Sequence, residues 1–506
     1  LRSLSPNARL VLPAENVFDL PEKVLQFGTG VLLRGLPDFL INKANNENVS
    51  NGRIVIVKST SGGGDATAFN EQDGLYTVCV RGVEETKKIE EYYISAAVSR
   101  VLTAATDWDD ILLCAENPFM EVVISNTTEV GITLVKDNIH ASPPISFPGK
   151  LLAFLYHRFK FFNKDPEKGM VIIPTELVPA NGEKLISIVL EIAHQNGLES
   201  DFIDWLEISN HFCNSLVDRI VPGKLDEAEQ QAVEKMLGYK DRLMIMSEVY
   251  ALWAIESSSE KVKKVLSFAA VHDGIIIAKN IDKFRELKLR LLNGSHSFAC
   301  GVAFLAGFET VKQAMENKYF AEYIQKLMYA EIIPSILSDD IDADEAKAFA
   351  DKVLDRYRNE YLDHKWINIT AQFSSKMHLR NTGVIKEYYN RFNQVPALMA
   401  LGMAAHILFM RTEKNDDGQY YGITAGKKYL VTDANAGLYC AKWKKYRTDF
   451  IVSKIFENLE LWQTDLNLLP GFAEEVTEQL ILLKSKGAME TLKFASQEIN
   501  SVKNDN

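Results

Sequence analysis

The chain has 506 residues, too many for one ordinary hydrophobic core, so at least two domains are expected. Hydrophobic residues make up 47% and charged residues 25%, the balance of a globular protein in water. With 56 Lys+Arg against 68 Asp+Glu the formal net charge is −12, which argues against non-specific nucleic-acid binding and against an anionic membrane surface.

The N-terminal stretch "LRSLSPNARLVLPAENV" lacks the apolar core of a signal peptide. The most apolar later run, "FACGVAFLAGF" (298–308), is shorter than the ~20 residues needed to cross a bilayer. Five isolated cysteines (Cys79, Cys114, Cys213, Cys300, Cys440) form no C-x-x-C pair, so buried thiols are expected rather than disulfides or a zinc site. These features suggest a cytoplasmic protein, monomer or homodimer, with no metal, no nucleic acid and no membrane as partner.

The first half alternates short β-rich runs with helical stretches. "KVLQFGTG" (23–30) reads as a strand running into glycines, "LLRGLPDFLINKANN" (32–46) as a helix and "RIVIVKS" (53–59) as a second strand. Further strands are expected at 75–82, 119–129 and 169–178, with a helix at 181–197. Buried strands alternating with helices predict an α/β, Rossmann-like N-terminal domain with a mostly parallel sheet. From about residue 281 long helical periodicities take over, at 286–308, 310–335, 343–362, 384–413, 434–458 and 473–495. The prediction is therefore a dinucleotide-binding domain over 1–280 and a mostly α-helical domain over 281–506, joined near 271–284.

"FGTG" places Phe27, Gly28, Thr29 and Gly30 directly after the first strand and before the first helix. Glycine suits a tight turn there, where a pyrophosphate must approach the backbone and the free N–H groups of a helix start. With 28 glycines in the chain, roughly one or two G-x-G triplets arise by chance, and Leu33 stands where a third fingerprint glycine would be. The motif alone leaves a dinucleotide site and a mere tight turn both open. The acidic residue that would hold an adenosine ribose is absent from the end of the second strand. Lys58 stands there instead, able to attract a 2′-phosphate or simply to be solvated.

The second domain opens with "ELKLRLLNGSH" (286–296), where Lys288, Asn293 and His296 interrupt an apolar pattern. On an α-helix Asn293 lies about 140° from Lys288, and His296 about 80° from it on the same side, so all three can line one broad face. Reducing a ketone needs a hydride at carbon and a proton for the developing alkoxide. A lysine can supply that proton if burial lowers its pKa. An asparagine amide can donate to the same oxygen, and a histidine can orient either partner. Each residue taken singly reads as well as a surface or structural group.

"KLRLLNGSH" resembles the lysine–asparagine–histidine motif of the long-chain polyol and mannitol dehydrogenase family. "FGTGVLLRG" is similar to that family's glycine motif and "FCNSLVDRIVPG" (212–223) to its Val-Asp-Arg signature. Within the family the closer likeness is to its sugar-acid reductases, through "QDGLYTVCVRG", "IIPTELVPANGEKL", "YAEIIPSIL" and "TDLNLLPGFAEEV". The resemblance implies NAD (NADH) as cofactor and a small-molecule sugar acid as substrate, with no metal needed. It implies Lys288 as general acid/base, Asn293 as oxyanion donor and His296 as substrate positioner. By the same motifs Thr128 and Glu129 fall near the nicotinamide, Asp218 near the substrate, and Lys376 at the substrate's far end. Arg380, a turn beyond Lys376, is added as a second cation for the carboxylate; Arg219 reads as structural or as part of the site.

Two positions depart from the mannitol-type pattern. A family Asp-Asn pair becomes Glu176-Leu177, so Leu177 cannot donate to an oxyanion, and either Asn293 acts alone or Asn181 or a water substitutes. A family arginine that contacts the polyol falls at Asn368. Rival expectations are a fructuronate or neutral-ketose reductase of the same family, and a non-catalytic dinucleotide-binding sensor.

Overall fold

The computed structural model describes residues 9–59, 66–127 and 131–502. Contacts divide the chain into two compact units, Leu1–Ile281 and Asp282–Asn506.

The first unit is built on a six-stranded, all-parallel sheet. Its strands are β1 (Glu22–Phe27), β2 (Arg53–Lys58), β3 (Val98–Thr103), β4 (Val122–Ser125), β5 (Val171–Pro174) and β6 (His211–Phe212). They lie in the order 3-2-1-4-5-6, that of a doubly wound dinucleotide-binding sheet. The strands are apolar on both faces because helices cover both. Ile54 and Ile56 of β2 enter one core with Val24, Ile124 and Ile173, whereas Val55 and Val57 enter the opposite core with Leu25, Phe27 and Val123. That period of two is the strand pleat itself.

Two smaller sheets complete this unit. One joins Tyr76–Glu84 and Lys87–Ser95 as an antiparallel hairpin, flanked by Leu10–Val11 and Ile245–Glu248. The other pairs Ser215–Asp218, Leu252–Glu256 and Ile275–Ala278.

The second unit is helical, with one three-stranded antiparallel sheet over Glu413–Lys414, Tyr420–Thr424 and Lys427–Leu430. At its centre the helix Ala397–Phe409 is buried on nearly every side. It crosses the helix Ser295–Leu305 closely. A Cβ on Gly402 would lie 2.8 Å from the Phe298 carbonyl oxygen, and one on Gly301 would lie 3.1 Å from the Ala405 carbonyl carbon. The buried Glu331 carboxylate holds the start of the central helix by accepting from Leu398 N at 2.8 Å and Met399 N at 2.7 Å. A buried acidic group at a helix N-terminus is favoured by the free N–H groups and the helix dipole.

The expected single helices at 310–335 and 384–413 are each interrupted. The first comprises Val311–Met315, Lys318–Lys326, a π-helical turn at Leu327–Ile332 and Ile333–Ile336. The second stops at Phe392, where Asn393 takes φ 49° and Pro396 precedes the next helix. Among the described residues no helix is long and apolar enough to cross a membrane. The five cysteines are buried and free.

Candidate functional site

In the first unit the predicted residues gather at the carboxyl edge of the parallel sheet. Phe27, Gly28, Thr29 and Gly30 leave β1, Lys58 ends β2, and Glu176 follows β5. Gly28 adopts φ +128°, and a Cβ there would sit 2.9 Å from the Asn126 carbonyl oxygen and 2.9 Å from Leu33 Cδ1. This glycine is required by both conformation and space. Gly30 is different: it has ordinary φ, and a Cβ would meet nothing within 4 Å. The space beside it is open to a ligand. The close approach of the third fingerprint glycine is made two residues later, at Gly35, whose Cβ would lie 2.8 Å from Val221 Cγ1.

These features fit a dinucleotide. The turn is tight, the space beside Gly30 is open, and a helix starts at Val31. At the end of β2 the Ser59 hydroxyl is buried without a hydrogen-bond partner among the described residues, a group suited to a ribose hydroxyl. Thr128 and Glu129 lie outside the described residues.

Three candidates in this unit are committed to its own framework. Glu176 is 3% exposed and accepts from Ser125 Oγ at 3.1 Å, Thr127 N at 2.9 Å and Thr127 Oγ1 at 3.0 Å. It therefore fixes the loop leaving β4. Asn181 is one of the alternatives for the donor missing at Leu177, but its amide is spent. Nδ2 donates to the carbonyls of Pro174 (3.0 Å), Glu176 (3.1 Å) and Ser215 (3.1 Å), while Oδ1 accepts from Gly182 N and Ser215 N. Arg219 donates to Glu248 O at 2.9 Å and Gly35 O at 2.6 Å and lies over the Phe39 ring. Its role is structural, and burial pulls its guanidinium down to about 10. Asp218 is buried at the end of its strand, and Leu177 is 61% exposed.

In the second unit the structure brings Asn293, His296, Lys376 and Arg380 to one locality, with Lys288 at the start of the turn that carries Asn293. The expected α-helix over 286–308 is not continuous: Lys288–Gly294 winds as a π-helix between Asp282–Leu287 and Ser295–Leu305. The i→i+5 register of a π-turn sets positions 288 and 293 about one turn apart, closer to a common face than α-winding would. A second π-turn, His378–Thr382, follows the helix Phe373–Met377 that carries Lys376.

Side chains support the first turn: each carbonyl from Leu291 to Gly294 receives a side-chain donor. Ser295 Oγ bonds Leu291 O, Tyr357 OH donates to Leu292 O at 3.2 Å, and Ser297 Oγ donates to Asn293 O at 3.0 Å. Arg380 Nη1 also reaches Asn293 O at 3.3 Å, and Asn381 Nδ2 reaches Gly294 O at 3.3 Å. Among the described residues the Asn293 side-chain amide makes no hydrogen bond, and the residue is half-buried, as is Lys288.

His296 stacks on Tyr357 at 4.3 Å between centroids and meets His364 and Trp366 edge-on. Its Nε2 is buried without a partner. Burial, then the nearby His364, Arg356, Arg380 and Lys376, holds this imidazole well below its ordinary range, so it is neutral near pH 7. Lys376 donates to Ile369 O at 2.9 Å; burial and then Arg380 lower its pKa, opposed by Cys300 and Asp433. Burial also lowers Arg380. The locality is cationic enough to attract a carboxylate and holds a neutral imidazole and a spare amide. Arg290, Tyr357 and His364 were missed in the sequence. Arg290 stood in the quoted motif, whereas nothing local marks Tyr357 or His364.

A glycine turn on a 3-2-1-4-5-6 sheet, followed by a helical unit bearing a lysine–asparagine–histidine turn, defines a two-domain dinucleotide-dependent oxidoreductase. Residues 22–266 match the mannitol dehydrogenase Rossmann domain and 280–484 the mannitol dehydrogenase C-terminal domain. The chain is 35% identical over 490 residues to an altronate oxidoreductase of Halalkalibacterium halodurans, covering 95% of this chain and 94% of that one. It is 34% identical to an altronate oxidoreductase of Bacillus subtilis, covering 94% and 97%. The protein belongs to the mannitol dehydrogenase family. Its fold is shared with a substrate-free D-sorbitol dehydrogenase (TM-score 0.76, 18% identity, 97% and 98% covered). It is shared too with Pseudomonas fluorescens mannitol 2-dehydrogenase in complex with NAD and D-mannitol (TM-score 0.65, 20% identity, 98% and 98% covered).

Proposed function

We propose that the protein is a cytoplasmic, NADH-dependent reductase that converts D-tagaturonate to D-altronate, and the reverse, in hexuronate catabolism. The observation that carries this reading is the likeness to altronate oxidoreductases over nearly the whole chain. The clustered Lys376 and Arg380, which suit a substrate carboxylate, support it.

Bound NADH supplies the hydride; the rest falls to the chain's own side chains. Lys288 gives its proton to the ketone oxygen as negative charge develops there, and takes it back in altronate oxidation. The Asn293 amide, one π-turn beyond Lys288, donates to the same oxygen. Neutral His296 orients the substrate hydroxyls, and Lys376 with Arg380 holds the carboxylate. Glu176 acts as a brace for the β4 loop. With Leu177 apolar and Asn181 committed, Asn293 is the single side-chain amide offered to the oxyanion in this scheme.

NADH oxidation measured in parallel with tagaturonate, fructuronate and fructose tests the assignment. Preference for tagaturonate is expected. Preference for fructuronate or fructose would reassign the substrate, and no turnover with any of the three would overturn the reductase reading.

A further inference from the structure

Two π-turns of the helical unit, Lys288–Gly294 and His378–Thr382, brace one another through a pair of arginines. Arg290, in the first turn, donates Nη1 to the carbonyls of Leu379 (3.2 Å) and Arg380 in the second. Arg380, in the second turn, donates Nη1 to Asn293 O (3.3 Å) near the end of the first and to Ser297 Oγ (3.1 Å) in the helix that follows it. Arg290 is itself aimed by Glu286, whose Oε1 accepts from Nε at 2.6 Å. The approach is close: a Cβ on Gly294 would lie 2.9 Å from Asn381 Oδ1.

We propose that Arg290 and Arg380 are positioning residues for the reaction, a reciprocal clamp that keeps Lys288–Gly294 in its π-register and so keeps Asn293 one π-turn from Lys288. The proposal rests on the reading of Lys288 and Asn293 as the proton donor and oxyanion donor. A guanidinium suits the task because its several N–H groups can serve two carbonyls and a carboxylate together. If the clamp is lost, the turn is free to relax toward α-winding, which carries Asn293 around the helix and away from the lysine. A displacement of about 1 Å at a reacting group costs on the order of a hundredfold in rate.

The test compares Arg290→Met, Arg290→Lys, Ser297→Ala and Lys288→Ala as full-length proteins. Arg290→Met is expected to lose about 10- to 100-fold in kcat with tagaturonate. NADH affinity by fluorescence titration should stay within about twofold, since Arg290 is far in sequence from the glycine turn and acts on the catalytic turn alone. Arg290→Lys should recover part of that kcat, because an ammonium can still donate to one carbonyl. Should Arg290→Met not fold, Ser297→Ala decides, with an expected loss of about 3- to 10-fold in kcat at unchanged NADH affinity. Folded Arg290→Met with kcat within about threefold of wild type, or a kcat loss that Arg290→Lys does not relieve, overturns the clamp. Lys288→Ala separates the two ideas. If it keeps near-normal turnover, the catalytic assignment itself falls; if it is inactive while Arg290→Met is normal, the clamp alone falls.

Discussion

The His296 imidazole lies stacked on the Tyr357 ring, 4.3 Å between centroids and 19° from parallel, while the Tyr357 hydroxyl donates to Leu292 O in the adjacent π-turn. One tyrosine thus fixes both the histidine plane and the turn that carries Asn293. Because burial and neighbouring cations keep His296 neutral well below its usual 6.5, it does not titrate across the working range. His296→Asn should lower kcat/KM for the uronate by about 10- to 100-fold without changing the shape of the pH–rate profile between about pH 6 and 8. An inflection near the ordinary imidazole range that vanishes in the variant would contradict this. The same shift makes protonation costly to the fold, so the histidine's contribution to stability is lost only as pH falls below the unfolded-state value.

Lys376 tests the carboxylate. Lys376→Met should raise KM for tagaturonate by about 10- to 100-fold, the equivalent of one lost charge-assisted hydrogen bond. Turnover of fructose, which has no carboxylate, should change little. Equal losses on both substrates would remove Lys376 from substrate recognition and leave it a support for the Ile369 carbonyl.

The two glycines of the nucleotide turn should behave differently. Gly28→Ala must place a Cβ 2.9 Å from Asn126 O at a φ of +128°, so it should lower stability by about 1–3 kcal/mol as well as weaken NADH binding. Gly30→Ala meets no protein atom and should melt like wild type, yet bind NADH about tenfold or more weakly if the open space receives the pyrophosphate. Thermal melts and fluorescence titrations of both variants read this directly. Unchanged NADH affinity in Gly30→Ala would move the phosphates elsewhere.

A buried acid lies behind that turn. Asp38 Oδ2 accepts from Tyr76 OH at 3.3 Å and from Gln26 Nε2 at 3.4 Å, and Gln26 also donates to Gly28 O at 3.3 Å. Burial pushes Asp38 up to about 7, against the opposing pull of Gln26, Arg34 and Tyr76. An acid whose folded pKa is raised holds its proton more tightly folded than unfolded. Its effect is therefore to make stability fall as pH climbs from near 3.8 through about 7. Asp38→Asn, which resembles the protonated form, should flatten that slope when melting temperatures at pH 5 and pH 8 are compared. Equal declines in variant and wild type would show that Asp38 is ionised throughout.

Much of the fold is legible because a doubly covered parallel strand leaves a plain record: "RIVIVK" is apolar in every interior position, and those four residues are all buried. The hairpin after Tyr76–Glu84 left none. Its turn, Glu85-Thr86, takes φ of 48° and 66° without glycine, asparagine or aspartate, and its return strand carries charge at both ends of "KKIEE". The break at Asn393–Pro396 and the glycine-bearing hairpin over 413–430 did have local signals, which the helical periodicity on either side obscured. At the site, residue types and spacing expose Lys288, Asn293 and His296, but not the π-winding that aligns them. No residue in "KLRLLNG" demands an i→i+5 register; it comes from donors distant in sequence, Tyr357, Arg380 and Asn381.

A π-turn contains one residue more than an α-helix would need to join the same two flanking segments. Removing a single residue between Leu289 and Leu292 would therefore leave the helices on either side free to keep their packing while the segment regularised to α. In alignments of related chains, a one-residue gap at this point would leave the lysine and asparagine four positions apart on a regular α-helix, still one turn from each other on one face, so the gap would mark the loss of the π-turn and not of the shared face.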